Sequence, residues 1–167
     1  FEVAEAHWLF DIPFDNIDVV VHPQSIIHSM VEFTDGSVKA QMSTPDMRLP
    51  IQHALFYPDR NIDNFGVAFD PVSIGSLTFE ELDHRNFPCF DLALSAFRQG
   101  GSYPIVVNAA NEVAVDLFLN EYIRFTDIPR LIGDALSNHV QSYNFKIDEV
   151  MDIDKKTRIY SYKWPNT

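Results

Sequence analysis

The stretch Ile26-Ile27-His28-Ser29-Met30-Val31-Glu32-Phe33-Thr34-Asp35-Gly36-Ser37-Val38-Lys39-Ala40-Gln41-Met42 carries two β-prone runs joined by a short polar turn. Residues 26–33 and 38–42 therefore read as the strands of an antiparallel hairpin. Asp35-Gly36 suits a type I′ turn, whose two central residues both need positive φ. Upstream, the β-branched run 17–21 predicts a short buried strand. Before it, FEVAEAHWLF sets Val3, Ala6, Leu9 and Phe10 at helical spacing with Glu2 and Glu5 off that stripe, and Pro13 closes the helix. Downstream, Thr44-Pro45-Asp46 reads as a helix entrance, with Thr44 as N-cap and Pro45 at the first helical position. That helix is expected to run to about Tyr57.

Residues 58–76 are polar and irregular, and the domain boundary is expected there. Beyond it the apolar spacing turns helical. Residues 90–97 outline a helix stopped by Gly100-Gly101, a pair suited to a left-handed C-terminal position. Residues 104–122 form a longer helix, apolar nearly all round apart from Asn108, Asn111, Glu112 and Asp116, which is the pattern of a buried bundle centre. Residues 126–139 predict a third helix and 154–162 a fourth, with Asp154 as its cap. The fold class is α+β, with a hairpin-bearing part at 1–70 and a small helical bundle at 71–167.

With 46% hydrophobic residues in 167, the chain can fill a real core. Twelve Lys+Arg against 24 Asp+Glu give a formal charge of -12, which repels nucleic acid backbones and anionic lipid alike. No apolar run approaches the roughly 20 residues of a membrane helix. The single cysteine, Cys89, makes no internal disulfide, in keeping with a reducing compartment, and the cytoplasm is the expected address. Phe1 stands where a helix interior would, with no cap ahead of it and none of the basic and apolar regions of a signal peptide, so a piece of a longer protein is expected.

Neither G-x-G-x-x-G nor G-x-x-x-x-G-K occurs, so a nucleotide would have to be held by other residues. The six histidines show no H-E-x-x-H, and His22 and His28 lack the spacing of a helical ligand pair. Their ordinary role is hydrogen bonding within a strand and turn. Serine, histidine and aspartate are all available, but no nucleophile elbow accompanies them. Taken alone, Glu2 is a carboxylate complementing a helix N-terminus, and Asn108 and Asn111 are buried amides tying a bundle together.

Longer strings carry more weight. His22-Pro23-Gln24-Ser25-Ile26-Ile27-His28-Ser29-Met30-Val31, Asp35-Gly36-Ser37-Val38 and Pro45-Asp46-Met47-Arg48-Leu49-Pro50-Ile51 occur in order. With Glu2, Glu5-Ala6, Trp8-Leu9-Phe10 and Asn108-Ala109-Ala110-Asn111-Glu112, they closely resemble the 1-deoxy-D-xylulose 5-phosphate reductoisomerase family, in register to about residue 155. The resemblance implies an enzyme that isomerises this sugar phosphate and reduces it with NADPH to 2-C-methyl-D-erythritol 4-phosphate in the non-mevalonate isoprenoid pathway. It also implies a Mg²⁺ or Mn²⁺ cofactor, and a homodimer formed through the catalytic-domain sheet. The chain would be the end of a mixed α/β catalytic domain followed by a C-terminal helical bundle. The Rossmann-like NADPH domain would be absent from it, leaving these residues inactive alone.

Carried over position by position, Glu2 is implied as a carboxylate ligand of the metal, whose companions lie in an upstream Asp-x-Glu. Pro45 and Met47 are implied on the apolar side of the substrate and nicotinamide pocket, with Ser25 beside them and His28 as a catalytic residue. A noncatalytic dimerisation and scaffold module is the competing reading of the same residues.

Overall fold

The computed structural model describes residues 1–62, 65 and 68–164. The contact pattern divides the chain into two compact units, Phe1–Asp18 with Asp83–Thr167, and Val19–Leu82. This differs from a division at 70/71, because the first helix packs on a helix of the later part. The edge-to-face rings of Phe1 and Phe97, 5.5 Å apart, mark that contact.

In the unit Val19–Leu82, β1 (Val20–Val21), β2 (Ile27–Glu32) and β3 (Val38–Met42) precede α2 (Arg48–Phe56), α3 (Pro71–Ile74) and β4 (Glu80–Glu81). The expected hairpin is present as β2 paired with β3, Met30 opposite Ala40 and Glu32 opposite Val38. Its turn differs from the type I′ expectation. Phe33 C=O accepts from Gly36 N–H at 2.9 Å, and Gly36, unlike Asp35, has positive φ (81°). This is the three-residue loop with glycine in the left-handed position, and one left-handed residue suffices to turn the chain. The Asp35 carboxylate accepts from the Ser37 N–H and hydroxyl, and these bonds lower its pKa.

The strand expected over 17–21 shrinks to Val20–Val21, paired with Glu80–Glu81. It is not buried: Val19 and Val20 are both exposed. Among the described residues the strands make two separate two-stranded antiparallel ladders rather than one mixed sheet. The helix expected from Pro45 begins only at Arg48. Asp46 takes the Arg48 N–H at 2.9 Å and the Arg48 guanidinium on its carboxylate, and this local turn displaces the first helical turn. Within the stretch expected to be irregular, Asp70 caps α3 by accepting from Val72 N–H.

The other unit contains α1 (Glu2–Phe10), α4 (Pro88–Gln99), α5 (Tyr103–Leu119), α6 (Ile128–Ser137) and α7 (Ile147–Lys163). Asp11 ends α1 in the left-handed conformation, two residues before Pro13. α5 lies at the centre and packs against α4, α6 and α7, as its nearly uniform apolar surface predicts. Val106, Val107, Ala110, Val113 and Ala114 of α5 meet Leu131 and Ile132 of α6 in a core where each buried Val, Leu or Ile contributes roughly 1.5–3 kcal/mol. The buried residues of α7, Thr157 and Ser161, are both small, so α7 does not hold α5 away with bulk.

Three expectations fail here. α7 starts at Ile147 rather than near 154, because Lys146 N–H donates to the Glu149 carboxylate at 2.8 Å and opens the helix seven residues earlier. Asp154 is not a cap; it sits inside the helix and accepts from Arg158 Nε at 2.8 Å. Asn108 is exposed rather than buried, and its amide donates to Glu112 at 3.0 Å on the outer face of α5.

Candidate functional site

In the unit Val19–Leu82, Ser43 follows β3 and lies beside Ile26 and His28 at the open end of the hairpin. Ser43 N–H donates to Ile26 C=O at 3.0 Å, continuing the ladder one step past β3. The β2–β3 register shifts between Ile27 and Ser29, leaving His28 as the extra residue of a bulge. A bulge redirects the side chain it carries, and such irregularities favour the rims of functional clefts. His28 Nε2 lies 3.1 Å from Ser43 C=O and 2.9 Å from Ser43 Oγ. A carbonyl only accepts, so Nε2 carries a proton, and in the neutral ring Nδ1 presents its lone pair. Nδ1 has no partner among the described residues.

Ser25 closes the turn that opens at His22, donating its N–H to His22 C=O at 3.0 Å. Its φ of 52° is left-handed, a region that residues other than glycine seldom occupy. Its side chain is exposed. Pro45 is exposed as well, and Met47 stands at the N-cap of α2 with 71% of its surface open, so the ordinary reading of such a methionine as core filler does not hold. Beside Met47, Arg48 grips Asp46 in a forked ion pair at 2.5 Å, which pushes the Asp46 carboxyl down to about 2.

Glu2 belongs to the other unit, in the first turn of α1, where its carboxylate is exposed and makes no hydrogen bond or ion pair among the described residues. Among the described residues no group of three or more His, Cys, Asp or Glu is disposed to hold a metal ion. A hard divalent cation takes six or more oxygens, so Glu2 fits such an ion as one ligand of a set completed from elsewhere.

Other candidates are accounted for structurally. A cavity of about 230 Å³ in the helical unit is lined by Phe1, Val3, Cys89, Phe90, Phe97 and Asn111 among others, and is largely apolar. Burial raises the Cys89 thiol above its ordinary pKa, which suppresses the thiolate that nucleophilic chemistry needs. A serine–histidine pair joins a buried Ser102 to a half-buried His139: Ser102 Oγ lies 2.6 Å from His139 Nε2 and accepts from Ser142 N–H at 2.9 Å. Ser102 is 0% exposed, so the pair ties the 138–146 segment to the start of α5 rather than meeting a substrate. On the α5–α7 surface, Arg158 bridges Glu112 at 2.7 Å and Asp154 at 2.8 Å, and this bridge lowers the Glu112 pKa.

Sequence reasoning missed Ser43, Gln24 and Thr78. Ser43 was within reach of it: in a hairpin whose register sets Ile27 opposite Met42, the residue after Met42 must lie near the start of β2. Gln24 and Thr78 pair across 54 residues, for which the local pattern has no signal.

The family model described as "DXP reductoisomerase C-terminal domain" matches residues 42–160. A 1-deoxy-D-xylulose 5-phosphate reductoisomerase of Acetivibrio thermocellus is 59% identical over 153 residues, covering 92% of this chain and 40% of that protein. One of Chloroherpeton thalassium is 55% identical over 161 residues, covering 96% and 41%. The chain thus spans about 40% of the length of these relatives. The solved reductoisomerase of Zymomonas mobilis in complex with NADPH superposes with a TM-score of 0.90 at 38% identity, covering 99% of this chain and 44% of that one. Another reductoisomerase structure, in complex with NADPH, fosmidomycin and magnesium, gives 0.91 at 38% identity, covering 99% and 42%. No helix among the described residues is long and apolar enough to cross a membrane.

Proposed function

The chain belongs to the DXP reductoisomerase C-terminal domain family, and from that premise we propose that its whole protein isomerises 1-deoxy-D-xylulose 5-phosphate and reduces it with NADPH to 2-C-methyl-D-erythritol 4-phosphate. The reaction belongs to the non-mevalonate isoprenoid pathway, and the cytoplasm is its proposed setting. By themselves the 167 residues are inactive on this reading. The Rossmann-like NADPH domain, the sugar-phosphate contacts and the remaining carboxylate ligands come from elsewhere in the whole protein.

One observation carries the proposal: the side chains singled out by the resemblance are among those that the fold leaves unspent. Among the described residues Glu2 has no ion pair and His28 keeps Nδ1 without a partner, and Met47 is 71% exposed. When bound, Mg²⁺ or Mn²⁺ supplies Lewis acidity at the substrate's ketone and hydroxyl oxygens, and NADPH supplies the hydride. Glu2 would hold the cation through carboxylate oxygen, the donor type a hard ion prefers. Pro45 and Met47 form an apolar wall that keeps water from the nicotinamide. Ser25 offers a hydroxyl to the substrate, and His28 Nδ1 accepts a hydrogen bond or a proton from a substrate hydroxyl, its ring orientation fixed by Ser43.

We also propose the homodimer on the hairpin. Both β2 and β3 have an unpaired edge within their ladder, and Met30, Val31 and Val38 are exposed on it. Sedimentation of the full-length protein as a monomer would remove the dimer proposal.

The test of the enzyme reading is Glu2→Gln in the full-length protein. Mn²⁺ binding followed by calorimetry should weaken by about 100-fold or more, with a matching fall in kcat/KM for NADPH oxidation in the presence of the sugar phosphate. Unchanged metal affinity and turnover would exclude Glu2 from the metal site.

A further inference from the structure

We propose that His22, Gln24 and Thr78 form a positioning clamp that holds Ser25 in its left-handed conformation, an inference that rests on the reading of Ser25 as a substrate-side residue. The turn His22-Pro23-Gln24-Ser25 is closed by the Ser25 N–H to His22 C=O bond, with Pro23 supplying the φ that such a turn needs at its second position. A single backbone bond does not select φ of 52° at a serine. The selection comes from Thr78, which is 56 positions from His22 and 54 from Gln24 in sequence.

His22 Nδ1 donates to Thr78 C=O at 2.8 Å while its ring stacks on Phe79, centroids 4.9 Å apart at 21°. Gln24 uses both ends of its amide on the same residue: Nε2 donates to Thr78 Oγ1 at 2.8 Å, and Oε1 accepts from Thr78 N–H at 3.2 Å. The Thr78 N–H, C=O and hydroxyl are therefore all engaged by the two residues that flank Pro23. The β1–β4 ladder, with Val21 opposite Glu80, runs directly into this junction. With both ends of the turn pinned, Ile26 goes into the interior and Ser25 is left outside. His22 Nε2 is buried without a partner among the described residues, so the imidazole anchors the turn and does not meet substrate itself.

In the full-length enzyme, Gln24→Ala and Thr78→Val are each expected to raise KM for the sugar phosphate about tenfold while leaving KM for NADPH and the thermal midpoint nearly unchanged. Thr78→Ser, which keeps the hydroxyl, should restore the wild-type KM. Added to Ser25→Ala, Gln24→Ala should cost nothing further, because both remove one contact. A crystal structure of the Gln24→Ala enzyme should show Ser25 outside the left-handed region. Ser25 still near 52° in that structure overturns the clamp, as does a loss shared equally by both substrates and the thermal midpoint. If Ser25→Ala leaves KM untouched, the substrate-side reading of Ser25 falls on its own. The clamp is then decided by that crystal structure: a displaced Ser25 supports it and an unmoved one overturns it.

Discussion

Ser102→Ala should loosen the helical unit by more than the loss of one hydroxyl from a surface would suggest. Ser102 is 0% exposed, and its Oγ serves two partners, His139 Nε2 at 2.6 Å and Ser142 N–H at 2.9 Å. Each bond contributes roughly 1 kcal/mol net, and the half-buried groups left behind add part of their desolvation cost, so the substitution should destabilise by about 2–3 kcal/mol. For a unit of this size that corresponds to a fall in Tm of roughly 10 °C or more. Urea unfolding followed by far-UV circular dichroism measures it.

The same pair has a pH signature. Ser142 N–H donates to Ser102 Oγ, and the 2.6 Å contact to Nε2 is a hydrogen bond in which either the hydroxyl or the ring donates. Burial holds the His139 imidazole below its ordinary 6.5. As pH falls through 6.5, the unfolded chain takes the proton first. The stabilisation is complete above 6.5, is lost as pH drops toward the depressed folded value, and levels off below it. His139→Gln should flatten that part of the stability profile. The reasoning is refuted if Ser102→Ala shifts stability by less than about 0.5 kcal/mol, or if the His139→Gln profile keeps the wild-type slope just below 6.5.

Gly101→Ala should also damage this region, by about 2 kcal/mol or more in the same urea assay, because an added Cβ would lie 2.7 Å from Ser142 O at a residue with φ of 55°. Arg158→Met should cost about 1 kcal/mol near neutral pH, since it opens a partly screened bridge to Glu112 and Asp154. The Glu112 carboxyl is held below its ordinary 4.5 by Arg158, so the wild-type advantage is present above that value and lost as pH falls through the lowered one. Unfolding curves of the two proteins should therefore converge in acid.

Much of the local architecture was legible in the residue order. The β-prone runs at 26–33 and 38–42 specified a hairpin, and Gly36 specified where it turns. The apolar surface of 103–119 specified a buried helix, and Gly100-Gly101 the end of the helix before it. What misled was competition between equally local signals. Thr44-Pro45 is a good helix start, but the Asp46 carboxylate satisfied the Arg48 N–H and guanidinium instead and delayed the helix. Asp154 looks like a cap, yet Glu149 capped the helix first.

The candidate site divides in the same way. Glu2, Ser25, His28, Pro45 and Met47 were named from ordered strings, while the partners that orient them were not. Ser43 is 15 residues from His28, and Thr78 is 54 from Gln24. Residue order by itself determined which segments bury a face and where the chain must turn, because those depend on periodicity and on φ allowed at single positions. Only the tertiary structure decided that Val20 would pair with Glu81, that Asn108 would face water and that Ser102 would meet His139. Each of those pairings or exposures depends on how helices and strands pack after they form, and no window of neighbouring residues contains that information.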